Sequence, residues 1–161
     1  MLAEVWSELE VDLPAEEIWA VYSSPDLPRL ILDLLPTRFQ SIDVLEGDGT
    51  QGTILHIVLR PANRGPLTWN EQFTRIDHTT RTKVVTQIEG GFLSDTYGFN
   101  SYANMFTITP RDSSSCVIRT TASFDVKEGS EANTSFVTAG WGMARAVANY
   151  VRANRPTTTE A

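Results

Sequence analysis

Cysteine is nearly absent: Cys116 stands alone in 161 residues, which excludes an internal disulfide framework and a cysteine-built zinc site. Histidine is almost as scarce. His56 and His78 lie far apart in the sequence, so no histidine cluster offers itself to a metal, and neither a metal nor any other cofactor is expected. Clustered positive charge is missing too. Thirteen Lys and Arg against twenty Asp and Glu leave a net charge of −7, and nowhere do the cations bunch, so neither nucleic acid nor an anionic membrane surface is an expected partner. No run approaches the ~18 consecutive apolar residues of a membrane span. The opening Met1-Leu2-Ala3-Glu4-Val5-Trp6 lacks the basic region and apolar stretch of a secretory signal, so the expected location is cytoplasmic.

What is present fits one core. A chain of this length with 41% hydrophobic residues sits near the usual domain size and can bury roughly two thirds of the surface it exposes when unfolded. The expectation is a single domain over 1–155, a disordered Thr-rich tail over 156–161, and a monomer or weak homodimer. Near-alternation from Val5 to Val11 predicts a half-buried strand. Pro14 followed by Glu16 and Glu17 is chemistry that the first turn of a helix prefers, and Leu27, Leu30, Ile31 and Leu34 recur at helical spacing until Pro36. The period then becomes two, predicting strands near 38–46, 53–60, 67–77, 82–90, 96–109 and 115–127, with Gly-, Asp-, Asn- or Pro-bearing turns between them. A long helix is expected over roughly 130–154, its stripe made by Phe136, Val137, Gly140, Trp141, Ala144, Val147, Ala148 and Val151.

Strand, two short helices, six strands and a long helix make an α+β fold: a seven-stranded antiparallel sheet, curved around the C-terminal helix, with a cavity between them. Any chemistry then belongs to inward-facing strand positions. Along Leu67-Thr68-Trp69-Asn70-Glu71-Gln72-Phe73-Thr74 the two faces separate: Thr68, Asn70, Gln72 and Thr74 face water, and Leu67, Trp69, Glu71 and Phe73 face the core. A carboxylate among apolar and aromatic neighbours is desolvated, its pKa rises, and it becomes a usable acid or base near neutral pH. The plainer alternative is a Glu71 paired with a core cation or water. Lys83 shares one face of the next strand with Val85, Gln87 and Glu89. Facing inward, it would lie near Arg75, roughly 13 Å along from Glu71 at strand rise. A lysine desolvated there can act as a base or as an amine toward carbonyls. Val84 and Ile88 compete for the same inside, so alternation alone leaves Lys83 open.

Other candidates reduce to structure. Gly47-Asp48-Gly49-Thr50-Gln51-Gly52-Thr53 lacks the lysine of a phosphate-binding loop and precedes a strand, so a hairpin turn is expected. Cys116, in register with Ile118, reads as a small buried hydrophobe. His78 in a polar turn and His56 out of step with Leu55, Ile57 and Leu59 read as surface residues.

Ile18-Trp19-Ala20-Val21-Tyr22-Ser23-Ser24-Pro25-Asp26-Leu27, Leu34-Leu35-Pro36, the loop from Glu46 to Thr53, and Ile88-Glu89-Gly90-Gly91-Phe92-Leu93 carry a pattern beyond that of the elements alone. Together they resemble the Bet v 1-like superfamily (pathogenesis-related class 10, START-related), and within it the norcoclaurine synthase group. The resemblance implies catalytic roles for Glu71 and Lys83, places Lys83 inside the cavity, and puts Trp69, Phe73, Phe92, Tyr102, Asn104 and Trp141 around a bound substrate. Two departures go with it: the family tyrosine two residues before the glutamate is Trp69, and the family aspartate of the next strand falls on Asn104, an amide that cannot act as a base. The implied chemistry is cofactor-independent acid/base catalysis of a Pictet-Spengler condensation or a related cyclisation in secondary-metabolite biosynthesis. The ligand is an aromatic or polyketide-like small molecule. The other reading is a non-catalytic carrier for a hydrophobic ligand, since a fold by itself does not imply catalysis. A Glu71 locked in an ion pair would favour the carrier.

Overall fold

In the computed structural model, residues 1–156 are described; residues 157–161 of the expected tail lie outside them. Strand β1 (Leu2–Val11) leads into helix α1 (Ala15–Tyr22), which starts after Pro14 and carries Glu16 and Glu17 in its first turn. Helix α2 (Leu27–Leu34) begins with Pro28 in its first turn and stops before Pro36. Strands β2 (Phe39–Glu46), β3 (Ile54–Leu59), β4 (Thr68–Asp77), β5 (Thr82–Gly90), β6 (Phe99–Pro110) and β7 (Cys116–Val126) follow. Their bounds lie within a few residues of those the alternation predicts.

All seven strands form one sheet in the order β1-β7-β6-β5-β4-β3-β2, every neighbouring pair antiparallel. The first two strands of the chain are therefore its two edges, and α1 and α2 carry the chain from one edge to the other. The main core joins side chains of the three α-helices to the inward positions of the strands, among them Ile18, Trp19, Tyr22, Ile31, Leu55, Ile57, Phe73, Val85, Phe106, Ile118, Val147 and Val151. A second cluster is aromatic. Phe92 stacks on Phe99 and Tyr102 with ring centres 4.7 and 4.5 Å apart, and Phe99 stacks in turn on Phe124.

The C-terminal helix is shorter than expected. Helix α3 spans Met143–Ala153, the segment Glu131–Phe136 is a 3-10 helix, and residues 137–142 are not helical. Gly140 and Gly142 bracket Trp141, two poor helix formers within three residues, and Gly142 takes φ +89°, a left-handed conformation that an α-helix cannot contain. Val147, Ala148 and Val151 of the expected stripe are buried as helix residues. Each of the two valines contributes about 1.5–3 kcal/mol of apolar burial. Phe136 and Trp141 leave the helix and serve the cavity instead.

Cys116 is fully buried, and His56 faces away from the core, its Nδ1 2.6 Å from Asn70 Oδ1. His78 is exposed and accepts a hydrogen bond from Trp19 Nε1 at 3.1 Å, which ties the β4–β5 turn to α1. No group of three His, Cys, Asp or Glu able to hold a metal occurs among the described residues. No helix among them is long and apolar enough to cross a membrane.

Candidate active site

Between the sheet and the helices lies a cavity of about 120 Å³. Its walls include Trp69, Glu71 and Phe73 of β4, Lys83, Val85 and Gln87 of β5, Phe92, and Tyr102, Asn104 and Phe106 of β6. The residues 136–143 supply Phe136, Thr138, Trp141 and Met143.

Glu71 is placed by strand alternation. It sits on the same face as Trp69 and Phe73, and its Oε1 accepts a hydrogen bond from Trp69 Nε1 at 2.8 Å. The ion pairs among the described residues lie toward the surface, and none includes Glu71. Loss of water around the carboxyl raises its pKa, opposed first by the Trp69 hydrogen bond and then by the charges of Lys83 and Arg38. Leu67, expected on the inner face, is 37% exposed because β4 begins only at Thr68.

Lys83 faces inward and is 1% exposed, whereas its competitor Ile88 is 42% exposed. Its strand partner is Ile76, not the expected neighbourhood of Arg75, because an irregularity between Phe73 and Arg75 shifts the register by one residue. The ammonium donates to the Tyr22 carbonyl at 3.0 Å and stands 3.8 Å from the centre of the Phe73 ring. One of its three N–H donors is thereby held by the backbone and the charge rests on a π face. Burial lowers the Lys83 pKa to about 8, with Glu71 pulling the other way.

The β6 wall adds Tyr102 and Asn104. Burial pushes the Tyr102 phenol up to about 12, while Asn104 and Arg38 act to lower it. Asn104 Oδ1 is buried without a hydrogen-bond partner. At one end of the cavity Gln87 Oε1 accepts from the Phe92 backbone N–H at 2.9 Å, which fixes the Gly90-Gly91-Phe92 turn and holds the Phe92 ring against Tyr102. At the other end Trp141 meets Phe39 edge to face at 5.9 Å.

Arg38 is foremost among the cavity residues that sequence reasoning missed, with Arg64 and Gln87. It is the first residue of the strand expected over 38–46, yet it stands just before β2, where strand alternation no longer sets its direction. Its guanidinium carbon lies 4.6 Å from the centre of the Trp141 ring, and its Nε is buried with no hydrogen-bond partner. Burial lowers its pKa from the ordinary arginine value, against the pull of Tyr102 and Glu71.

The Pathogenesis-related protein Bet v 1 family matches over residues 1–154. S-norcoclaurine synthase 2 from Papaver somniferum is 44% identical over 126 residues, covering 78% of this chain and 53% of that protein, so the chain spans about half its length. Norbelladine synthase from Narcissus pseudonarcissus is 40% identical over 131 residues, 81% of this chain and 79% of that protein. Among solved structures, norcoclaurine synthase from Thalictrum flavum in complex with dopamine and hydroxybenzaldehyde superposes with a TM-score of 0.86 at 31% identity, covering 98% of this chain and 90% of that chain.

Proposed function

For a chain that belongs to the Pathogenesis-related protein Bet v 1 family, we propose a cofactor-independent enzyme that condenses an aryl-ethylamine with an aromatic carbonyl compound inside the cavity. The observation that carries this reading is that Glu71 and Lys83 line one cavity while neither is spent in an ion pair with the other or with a third residue. A carrier for a hydrophobic ligand has no use for two buried charged groups kept free, because each costs desolvation energy. The solved relative that holds dopamine and hydroxybenzaldehyde, together with the norcoclaurine and norbelladine synthases among the similar sequences, supports small aromatic substrates.

In the proposed reaction the amine nitrogen bonds to the carbonyl carbon and water leaves, giving an iminium. The electron-rich ring carbon then bonds to that carbon, and Glu71 takes the displaced ring proton, restoring aromaticity. Its raised pKa suits a carboxylate that must accept a proton near neutral pH. Lys83 retains N–H donors beyond the one held by Tyr22, and these hold or deprotonate a ring hydroxyl. Trp69 supplies a flat wall without the phenolic hydroxyl of the family tyrosine, and Asn104 supplies an amide without a base. With these two changes the preferred substrate pair differs from that of the family's synthases.

Incubation with dopamine and a panel of arylacetaldehydes, followed by chromatography of the products, tests the reading. Product forms faster than in buffer, and Glu71→Gln and Lys83→Ala each lose most of the rate. Equal rates with and without protein for every pair, and variants indistinguishable from the parent, overturn it.

A further inference from the structure

The cavity is positively charged in a chain that is not. Four side chains of unlike sign line it, Arg38, Arg64 and Lys83 against Glu71, although the whole sequence carries −7. Arg64 stands at the mouth, exposed, with its guanidinium 5.7 Å from the Phe136 ring centre. Arg38 lies deeper. Among the described residues no carboxylate lies within ion-pair distance of it, its Nε is buried without a partner, and its guanidinium carbon lies 4.6 Å from the Trp141 ring centre. Arg38 is half-buried with its Nε shut off from water, and a guanidinium drawn from water without a counter-charge is costly. Its fork of N–H donors fits a planar carboxylate.

We propose that Arg38 is the anchor for a carboxylate carried by one of the two substrates, which makes the ligand an aromatic acid. The walls around it are apolar and aromatic, so the rest of that ligand is a ring. At neutral pH the group is a carboxylate and not a phenol, since a phenol ionises near pH 10 and would arrive uncharged. The proposal rests on the condensing reading only for which molecule bears the acid. If the carbonyl partner bears it, that partner is an arylpyruvate: the amine nitrogen bonds to the keto carbon, the keto oxygen leaves as water, the ring carbon bonds to the same carbon, and the ring proton goes to Glu71. The carboxylate passes through unchanged and nothing is oxidised or reduced. If the amine bears it, the amine is an aromatic amino acid and the same balance holds with an aldehyde.

The test is a tryptophan-fluorescence titration at pH 7, using Trp69 and Trp141 as reporters in the cavity wall. The probes are 4-hydroxyphenylacetate and its neutral counterpart 2-(4-hydroxyphenyl)ethanol. The parent protein binds the acid roughly tenfold more tightly than the alcohol, as a charge-assisted pair provides. Arg38→Gln abolishes the preference and leaves the alcohol's affinity in place; Arg38→Lys keeps part of it. Equal binding of acid and alcohol by the parent overturns the proposal without any variant, and so does a preference that survives Arg38→Gln. Turnover arms with dopamine plus an arylpyruvate, and with 3,4-dihydroxyphenylalanine plus an arylacetaldehyde, identify the acid-bearing partner as the one whose KM alone rises in Arg38→Gln. If neither arm nor any aldehyde turns over while the carboxylate preference stands, the condensing reading fails and the carboxylate site remains.

Discussion

The indole of Trp69 donates to the carboxyl of Glu71 at 2.8 Å, two residues apart on the same face of one strand. A hydrogen bond to the charged form holds a carboxyl pKa down, and here it is the largest force opposing the desolvation that raises it. Trp69→Phe keeps an aromatic wall and removes the donor. The Glu71 pKa then climbs further, and the acid limb of the activity profile moves to higher pH. The pH dependence of kcat/KM for parent and variant checks this; an unmoved limb means that the limb does not report Glu71.

Lys83 and Lys127 are the only lysines in the chain, so the titration of Lys83 can be watched directly after reductive ¹³C-methylation, as one of three resonances with Lys127 and the Met1 α-amine. It titrates near pH 8, well below an ordinary lysine at 10.5. Below pH 8 both folded and unfolded chains hold this proton, and the folded state carries the full cost of a buried charge. Between pH 8 and 10.5 the folded chain has released the proton and the unfolded chain has not, so stability rises with pH across that window. Lys83→Met removes this dependence and leaves the variant more stable than the parent at pH 7, as read by urea denaturation across that range.

Much of this arrangement is legible in the sequence, and what is not has identifiable causes. The faces of β4 could be read because every second residue over Thr68–Thr74 is polar. The direction of Lys83 could not, because Val84 and Ile88 offer the opposite face an equal claim, and only burial by α1 settles it. Its register could not either, since the irregularity after Phe73 has no glycine or proline to mark it. The shortened C-terminal helix did carry a signal in Gly140 and Gly142, outweighed by an apolar stripe that continues across them. Arg38 carried none: at the fraying start of the strand expected over 38–46, an arginine looks the same whether it points to water or to a cavity.

Asn104 Oδ1, buried without a partner, stands on the wall beside Tyr102, and Tyr102 also feels the charge of Arg38. Asn104→Asp places a second carboxylate in a cavity that holds three cations and one acid. The new acid is tolerated because it meets unpaired positive charge, and it competes with a ligand carboxylate for that charge. The variant therefore folds with a thermal midpoint close to the parent's and binds 4-hydroxyphenylacetate several-fold more weakly, while its affinity for the neutral alcohol is unchanged. With a neutral aldehyde as carbonyl partner it closes the ring faster than the parent, since a second base now stands in the cavity. An acid affinity equal to the parent's would place the ligand carboxylate away from this wall.

The loop between β2 and β3 is structural, and its glycines differ in a way that stability measurements resolve. Gly49 takes φ +96°, and a Cβ there would lie 2.6 Å from the Cα of Pro25, in the turn between α1 and α2. Its N–H donates to Thr53 Oγ1 at 2.8 Å, which closes the loop on itself. Two of the stretches that carry the family resemblance, Ser24-Pro25-Asp26 and Gly47-Asp48-Gly49, thus pack on one another. Gly52 has nearly the same φ, +97°, with nothing within 4 Å of a Cβ. Gly52→Ala bears the left-handed penalty alone, about 1 kcal/mol, whereas Gly49→Ala adds a backbone clash that Pro25 cannot relieve by rotating a side chain and loses about 3 kcal/mol or more. Urea midpoints of the two variants measure the difference. Equal losses would mean that the loop stands clear of the helical turn, and a loss of ligand affinity in Gly52→Ala at unchanged stability would return the loop to the binding site.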